Sequence, residues 1–248
     1  MRFSSHRDFQ RAFERALRRA AVPMAYSSGF NPHPRISYAN AAPTGAASEA
    51  EYVEIAVTRR CDPLALRDAL DDALPGGLDV VEVVEAGPGA LADRLQASRW
   101  RIELPGADPE QVSAAVAVYL AAERVEVQRV MKTGPRTFDT RNAVIRLEAA
   151  PPGTREQPGI PDGAPGIDEN VTQRVAQGEL GSCAILHLVV RHTTPAVRPD
   201  DVLAGLRSQA HLAPLSPPRM TRLAQGPLDE EDGSVADPLA ADRNAVGA

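Results

Sequence analysis

Three prolines set the outline of this fold. Pro63, Pro109 and Pro199 each stand at the head of a stretch with helical periodicity, directly behind Asp62, Asp108 and Arg198. Proline is preorganised for the first position of a helix but costs a hydrogen bond inside a helix or a central strand. These positions are therefore helix starts. Leu66, Ala69, Leu70, Ala73 and Leu74 form the apolar stripe of the first, which Pro75-Gly76-Gly77 ends. The second runs to about Ala122, and the third, opened by Arg198-Pro199-Asp200-Asp201, to about Ser208.

A fourth helix precedes them. Ser5 is its N-cap, Asp8 sits at the third helical position, and Phe9, Ala12, Phe13, Ala16, Leu17 and Ala20 repeat at the i, i+3, i+4 spacing of one buried face. It should end near Val22-Pro23. Strand-like stretches lie at residues 36–39, 51–58, 78–84, 98–104, 124–131, 143–148, 183–191 and 220–223. In 51–58, Val53, Ile55 and Val57 alternate with Tyr52, Glu54 and Ala56, as in a half-buried strand.

Two successive series of this kind predict an α+β protein made of two tandem ferredoxin-like, split β-α-β modules. The first spans 1–86 and the second 97–224. Gly87-Pro88-Gly89 opens a linker over 87–96, the Pro/Gly-rich stretch 151–181 is a flexible insertion, and the acidic tail 225–248 is disordered. A helix starting at residue 5 leaves no room for the first module's opening strand. Either Met1 lies inside a longer natural protein, or a strand from elsewhere in the chain completes the sheet.

With 43% hydrophobic and 24% charged residues, the 248-residue chain can bury a real core in each module. No apolar run approaches the roughly 18 to 20 residues of a membrane span, and arginines stand where a signal peptide would be apolar, so the expected location is the cytoplasm. Cys61 and Cys183 are the only cysteines, too few for a disulfide framework, a zinc site or an iron–sulfur cluster. They are expected to be buried, and no cofactor is implied. The net charge of −6 conceals an asymmetry. Arg2, Arg7, Arg11, Arg15, Arg18, Arg19 and Arg35 crowd the first 35 residues, whereas Asp229, Glu230, Glu231, Asp232, Asp237 and Asp242 crowd the last 23. Lys132 is the only lysine. Guanidiniums favour bidentate phosphate contacts, although a GC-rich coding sequence would also enrich arginine.

The candidate site lies in the first forty residues. Arg7, Arg11, Arg15 and Arg18 fall on the helix face opposite the apolar stripe, and a row of guanidiniums can follow a phosphate backbone. Next comes the loop Tyr26-Ser27-Ser28-Gly29-Phe30-Asn31-Pro32-His33-Pro34-Arg35. Tyr26 or Phe30 could stack on an unpaired base, His33 could contact it, and Arg35 adds a further cation. Gly29 gives freedom for a tight turn, while Pro32 and Pro34 stiffen the segment. The binding set is Ser5, His6, Arg7, Asp8, Arg11, Arg15, Arg18, Tyr26, Ser27, Gly29, Phe30, Asn31, His33 and Arg35. RNA is the leading partner. The competing reading is a merely solvated face in which Glu14 pairs with Arg18. His6, Asp8 and His33 could hold a metal or supply a general base. Alternatively, Asp8 completes the cap and His6 orders the loop, leaving no catalytic or metal residue. His187, in an apolar strand, reads as a core histidine.

The runs Arg2-Phe3-Ser4-Ser5-His6-Arg7-Asp8, Glu14-Arg15-Ala16-Leu17-Arg18-Arg19-Ala20 and Tyr26 to Ser37 resemble the N-terminal signature of the uncharacterised radical-SAM-linked protein family. The similarity extends more weakly over most of residues 1–223, with Glu49, Tyr52 and Arg198-Pro199-Asp200 in order. The resemblance implies a bacterial domain of unknown function fused to, or encoded beside, radical S-adenosylmethionine proteins. Often it also lies near genes for a ribosomal protein and an RNase E/G-type ribonuclease. This chain lacks the CxxxCxxC that ligates three irons of such an enzyme's cluster. Any part it takes in radical chemistry is as a partner. The expectation is thus a noncatalytic accessory protein that binds RNA or presents substrate to a radical SAM enzyme, with a metal-dependent phosphodiester hydrolase as the third reading. No oligomeric state is specified.

Overall fold

The computed structural model describes residues 6–131, 134–150, 183–212 and 216–245. The elements are α1 (His6–Arg19), β1 (Ile36–Ala39), β2 (Ala47–Ser48), β3 (Tyr52–Ile55), α2 (Pro63–Ala73), α3 (Leu91–Arg94), β4 (Ala97–Pro105), α4 (Pro109–Ala121), β5 (Glu126–Met131), β6 (Gly134–Asp139), β7 (Val144–Ala149), β8 (Cys183–Arg191), α5 (Pro199–Ala210), β9 (Arg219–Gly226) and α6 (Ala240–Ala245). The three prolines begin α2, α4 and α5. Asp62 accepts from the Leu64 and Ala65 N–H groups at 2.8 and 3.2 Å, and Asp108 from Glu110 at 3.0 Å. At α5 it is Asp201, three residues on, that accepts from the Arg198 N–H at 2.8 Å.

The fold is mixed α+β, with antiparallel pairs β1-β3 and β5-β6 and a five-stranded sheet of order β2-β9-β4-β8-β7. This strand order does not display the tandem ferredoxin-like arrangement expected from the sequence. The chain divides into two units, one comprising residues to Ser98 and from Thr221 onward, the other Arg99–Met220. The expected boundaries, 1–86 and 97–224, differ from this because the C-terminal segment returns to the first unit.

In the first unit, α1 and α2 share a core. Phe13, Ala16 and Leu17 meet Leu70 and Ala73, with Ile36, Val53 and Ile55 of the β1-β3 pair packed against them. Phe9 and Phe13 also meet Tyr38 edge-on, at centroid distances of 5.9 and 6.3 Å. Burial pushes the Tyr38 phenol up to about 12, with Glu14 adding to the shift. The expected strand over 78–84 is absent. Its backbone is satisfied differently: Asp71 accepts from the Val80 N–H at 2.7 Å, and Val81 turns its side chain to solvent.

The expected linker and disordered tail are both folded into this unit. Leu91 and Leu95 are buried around α3. Asp242, nearly buried, accepts from the Gly87 N–H at 3.0 Å and from Arg94 at 2.7 Å. Arg243 pairs with Glu82 and Asp237 at 2.5 Å each. Gln225 is fully buried and donates to the Ala50 carbonyl at 2.6 Å, while Leu228 and Val235 form a β-bridge. Asp229, Asp232, Asp237 and Asp242 thus have partners within the unit, which is why the stretch does not behave as a free charged tail. β9 pairs in parallel with β2, so a strand from the far end of the chain does join this unit. Its Arg222, 3% exposed, is held by Glu51, Ser48 and the Asn40 carbonyl.

In the second unit, Val112, Ala115, Val116 and Tyr119 of α4 face a core completed by Leu147, Leu186, Leu188, Val202 and Leu206. Gly205 lets α5 approach closely, since a Cβ there would lie 2.7 Å from the Tyr119 ring. Tyr119 donates to the Thr140 hydroxyl at 2.8 Å, and burial pushes its phenol up to about 12. The β5-β6 hairpin is held to α5 by Arg129, 2.7 Å from Asp201 and stacked over Phe138. His187, expected in the core, is only half-buried: it lies on the sheet face opposite Leu186 and Leu188, in register with Glu148. Both cysteine expectations also change, Cys61 being half-buried and Cys183 exposed. The whole 151–181 insertion, like Lys132 and Ser5, lies outside the described residues. Among the described residues no helix is long and apolar enough to cross a membrane.

Candidate functional site

At 3.6 residues per turn, Arg7, Arg11, Arg15 and Arg18 fall within an arc of about 80°, roughly opposite the buried stripe. All four are exposed, as is Arg19 beside them. Among the described residues none of these five arginines makes an ion pair, and the expected Glu14–Arg18 pair is not formed. Glu14 is half-buried and acts instead on Tyr38, whose phenol it helps to raise. Elsewhere guanidiniums have carboxylate partners, among them Arg60 with Glu85, Arg94 with Asp242, Arg129 with Asp201 and Arg222 with Glu51. Arg18 and Arg19 also close the last turn of α1, where positive charge opposes the helix dipole favourably.

The loop stands on a fixed stem. Ala25 donates to the Ala56 carbonyl at 2.8 Å, Ala56 to Arg35 at 3.0 Å, and Arg35 back to Ala25 at 2.9 Å, a closed cycle of three chain segments. Above it Tyr26 bridges Pro34, the Ser27 N–H donates to the His33 carbonyl at 2.8 Å, and the His33 N–H donates to the Ser27 hydroxyl at 3.0 Å. Gly29 has φ +138°, a conformation that favours glycine. The tip is solvent-exposed throughout: Phe30 is fully exposed, Tyr26 is 54% exposed, and Ser27, Asn31, His33 and Arg35 are exposed as well.

β1 leaves this stem and runs back along α1, since Tyr38 meets Phe9 and Phe13 in the first half of the helix. The loop therefore lies at the helix's C-terminal end, beyond Arg18. The arginine row and the loop thus both belong to the first unit, the row on the outward face of α1 and the loop beyond its last turn. The trio of His6, Asp8 and His33 is a different matter. Asp8 and His33 are exposed, and among the described residues no group of three or more His, Cys, Asp or Glu is placed to hold a metal.

Two cations lie outside the expected binding set. Arg19 flanks the row, and its place in the run Glu14 to Arg19 was the available signal. Arg59 has no local sequence signal. It is brought to the end of α1 because the Thr58 N–H donates to the Pro23 carbonyl at 2.8 Å. With Arg60, Cys61 and Asp62 it borders an open cleft of about 270 Å³ whose other wall is Ala20 to Pro23.

The chain belongs to the bacterial family DUF2344, described as an uncharacterized protein conserved in bacteria, which it matches over residues 1–199. That span includes the whole arginine row and loop. No curated protein matches the chain.

Proposed function

We propose that the outward face of α1 and the loop 26–35 bind RNA, and that the protein is a noncatalytic accessory factor. The observation that carries this is the row of Arg7, Arg11, Arg15 and Arg18, exposed and without carboxylate partners among the described residues. A merely solvated helix face usually spreads both signs of charge along itself and offsets them by i, i+4 pairs. Of the two carboxylates on α1, Asp8 stands in the first turn and Glu14, four residues before Arg18, sits beside Tyr38 instead. Unoffset guanidiniums in file are suited to bidentate phosphate contacts, and the exposed aromatics at the end of the file supply surfaces for bases.

A second reading rests on the resemblance of the first forty residues to the radical-SAM-linked family. In it the same surface docks onto a radical SAM enzyme and presents that enzyme's substrate. The two readings separate by salt. Phosphate contacts release counterions and weaken steeply as salt rises, whereas a protein interface with an apolar centre does not.

The test is a fluorescence-anisotropy titration of the chain with short RNAs at several salt concentrations, beside Arg11→Glu/Arg15→Glu. Salt-sensitive binding that the double variant loses supports the RNA reading. Absence of binding by folded protein at low salt rejects it.

A further inference from the structure

We infer that this face takes a single strand of RNA, laid along α1 with about one phosphate to each guanidinium, and carries the next base onto Phe30. The inference rests on the RNA-binding reading above. Four residues of helix rise about 6 Å, so Arg7, Arg11 and Arg15 present charges in even steps, and the row to Arg18 is about 16 Å long. A flexible strand can adjust its backbone to such a straight file. A duplex cannot: its phosphates wind about the axis on two strands, a groove's width apart, and a straight file meets them only where it crosses them. The narrow arc matters for the same reason. Four cations within about 80° make one track, suited to one backbone, rather than a broad patch for two.

The loop makes the same choice independently. Phe30 is fully exposed at the tip of a turn whose stem is fixed by the Ala25, Arg35 and Ala56 backbone bonds. An aromatic ring held in this way has no apolar partner of its own. It is a stacking platform, and stacking requires a base that is not already paired and stacked in a helix. Tyr26, 54% exposed, bridges Pro34 at the foot of the turn and offers a second aromatic face.

The experiment is anisotropy titration of the full chain with labelled oligouridylates of increasing length, and with a blunt RNA hairpin, between about 50 and 200 mM salt. Affinity should rise with length to about four to six nucleotides and then level off, and the hairpin should bind at least tenfold more weakly. The log–log salt slope should be about −3, the value for four phosphates on a single strand, or about fifty-fold over that range. Phe30→Ala, at a fully exposed position that leaves folding intact, should weaken oligouridylate binding about tenfold without changing the slope, and should have no effect on an abasic oligomer. Hairpin binding as tight as that of the single strand, or a Phe30→Ala variant with unchanged affinity, overturns the inference and leaves RNA binding standing. Failure of every RNA to bind the folded protein at the lowest salt overturns both.

Discussion

The two charged ends of this chain look like mirror images in sequence and are opposites in structure. The arginines of α1 face outward without carboxylate partners among the described residues. The acidic residues after Gln225 are largely engaged within their own unit: Asp242 is buried on Arg94 and Gly87, whereas Asp237 pairs with Arg243 and Asp229 and Asp232 accept from their own turns while staying exposed. A run of like charge therefore says nothing by itself about whether its charges find partners within the fold. The difference lies in what else each stretch carries. In α1 the apolar residues all fall on one side at helical spacing, so packing the helix leaves its charges outside. In 225–245 no such periodicity exists. The segment is instead anchored by hydrogen bonds to its backbone and by complementary arginines from distant parts of the chain.

Substitution at the two ends should accordingly give opposite outcomes. Asp242→Ala removes the partner of a partly buried Arg94 and an acceptor of the Gly87 N–H, and should cost about 3 kcal/mol of stability while leaving RNA affinity of the folded protein unchanged. Arg11→Glu/Arg15→Glu should do the reverse, lowering RNA affinity on the order of 100-fold with stability within about 0.5 kcal/mol. Urea denaturation and RNA titration on both variants check this. A double variant that melts early would mean the arginine row is structural, and the contrast between the ends would fail.

The inward turn of the C-terminal end has its own test. Gly226 lies so close to Ala236 that an added Cβ would sit 2.0 Å from the Ala236 carbonyl oxygen. Gly226→Ala should force the segment off and cost about 1 to 3 kcal/mol. Hydrogen exchange should then show faster loss of protection at the Leu228 and Ala236 amides, which donate to Gln96 and Pro227, than anywhere on α1. Uniform loss over the first unit would instead mean that the segment is not a separable attachment.

How much of this was legible follows the range of the interactions involved. Helix starts at Pro63, Pro109 and Pro199 are local chemistry, and the sequence shows them; so are the strands at 36–39 and 183–191. The arginine row is equally local, because helical periodicity alone assigns its face. The segment 78–84 misled because its alternation looks like a strand, yet Asp71 takes one of its N–H groups and no neighbouring strand is supplied. The folded tail, the pairing of β9 with β2, and the arrival of Arg59 beside α1 depend on contacts across many residues, which no local pattern encodes. Nor could the position of Glu14 be read, since i, i+4 spacing to Arg18 is equally compatible with a pair or with a turn toward the sheet.

That carboxylate supplies the smallest and sharpest test. The Tyr38 phenol titrates at about 12, raised first by burial and second by Glu14. The native state thus favours the protonated phenol, a contribution fully present below pH 10 and lost as pH rises toward 12. Glu14→Gln should lower the Tyr38 midpoint by less than half of its elevation, because burial remains. Ultraviolet phenolate titration, with Tyr38→Phe to identify the transition among the other raised tyrosines, Tyr52 and Tyr119, reads this directly. The same variant should leave the salt slope of RNA binding unchanged, since Glu14 does not neutralise the row. An unmoved Tyr38 midpoint together with a steeper salt slope would place Glu14 among the arginines. The N-terminal face would then be an offset, ordinarily solvated surface, no more available to a partner than Arg243 of the C-terminal segment, which pairs with Glu82 and Asp237.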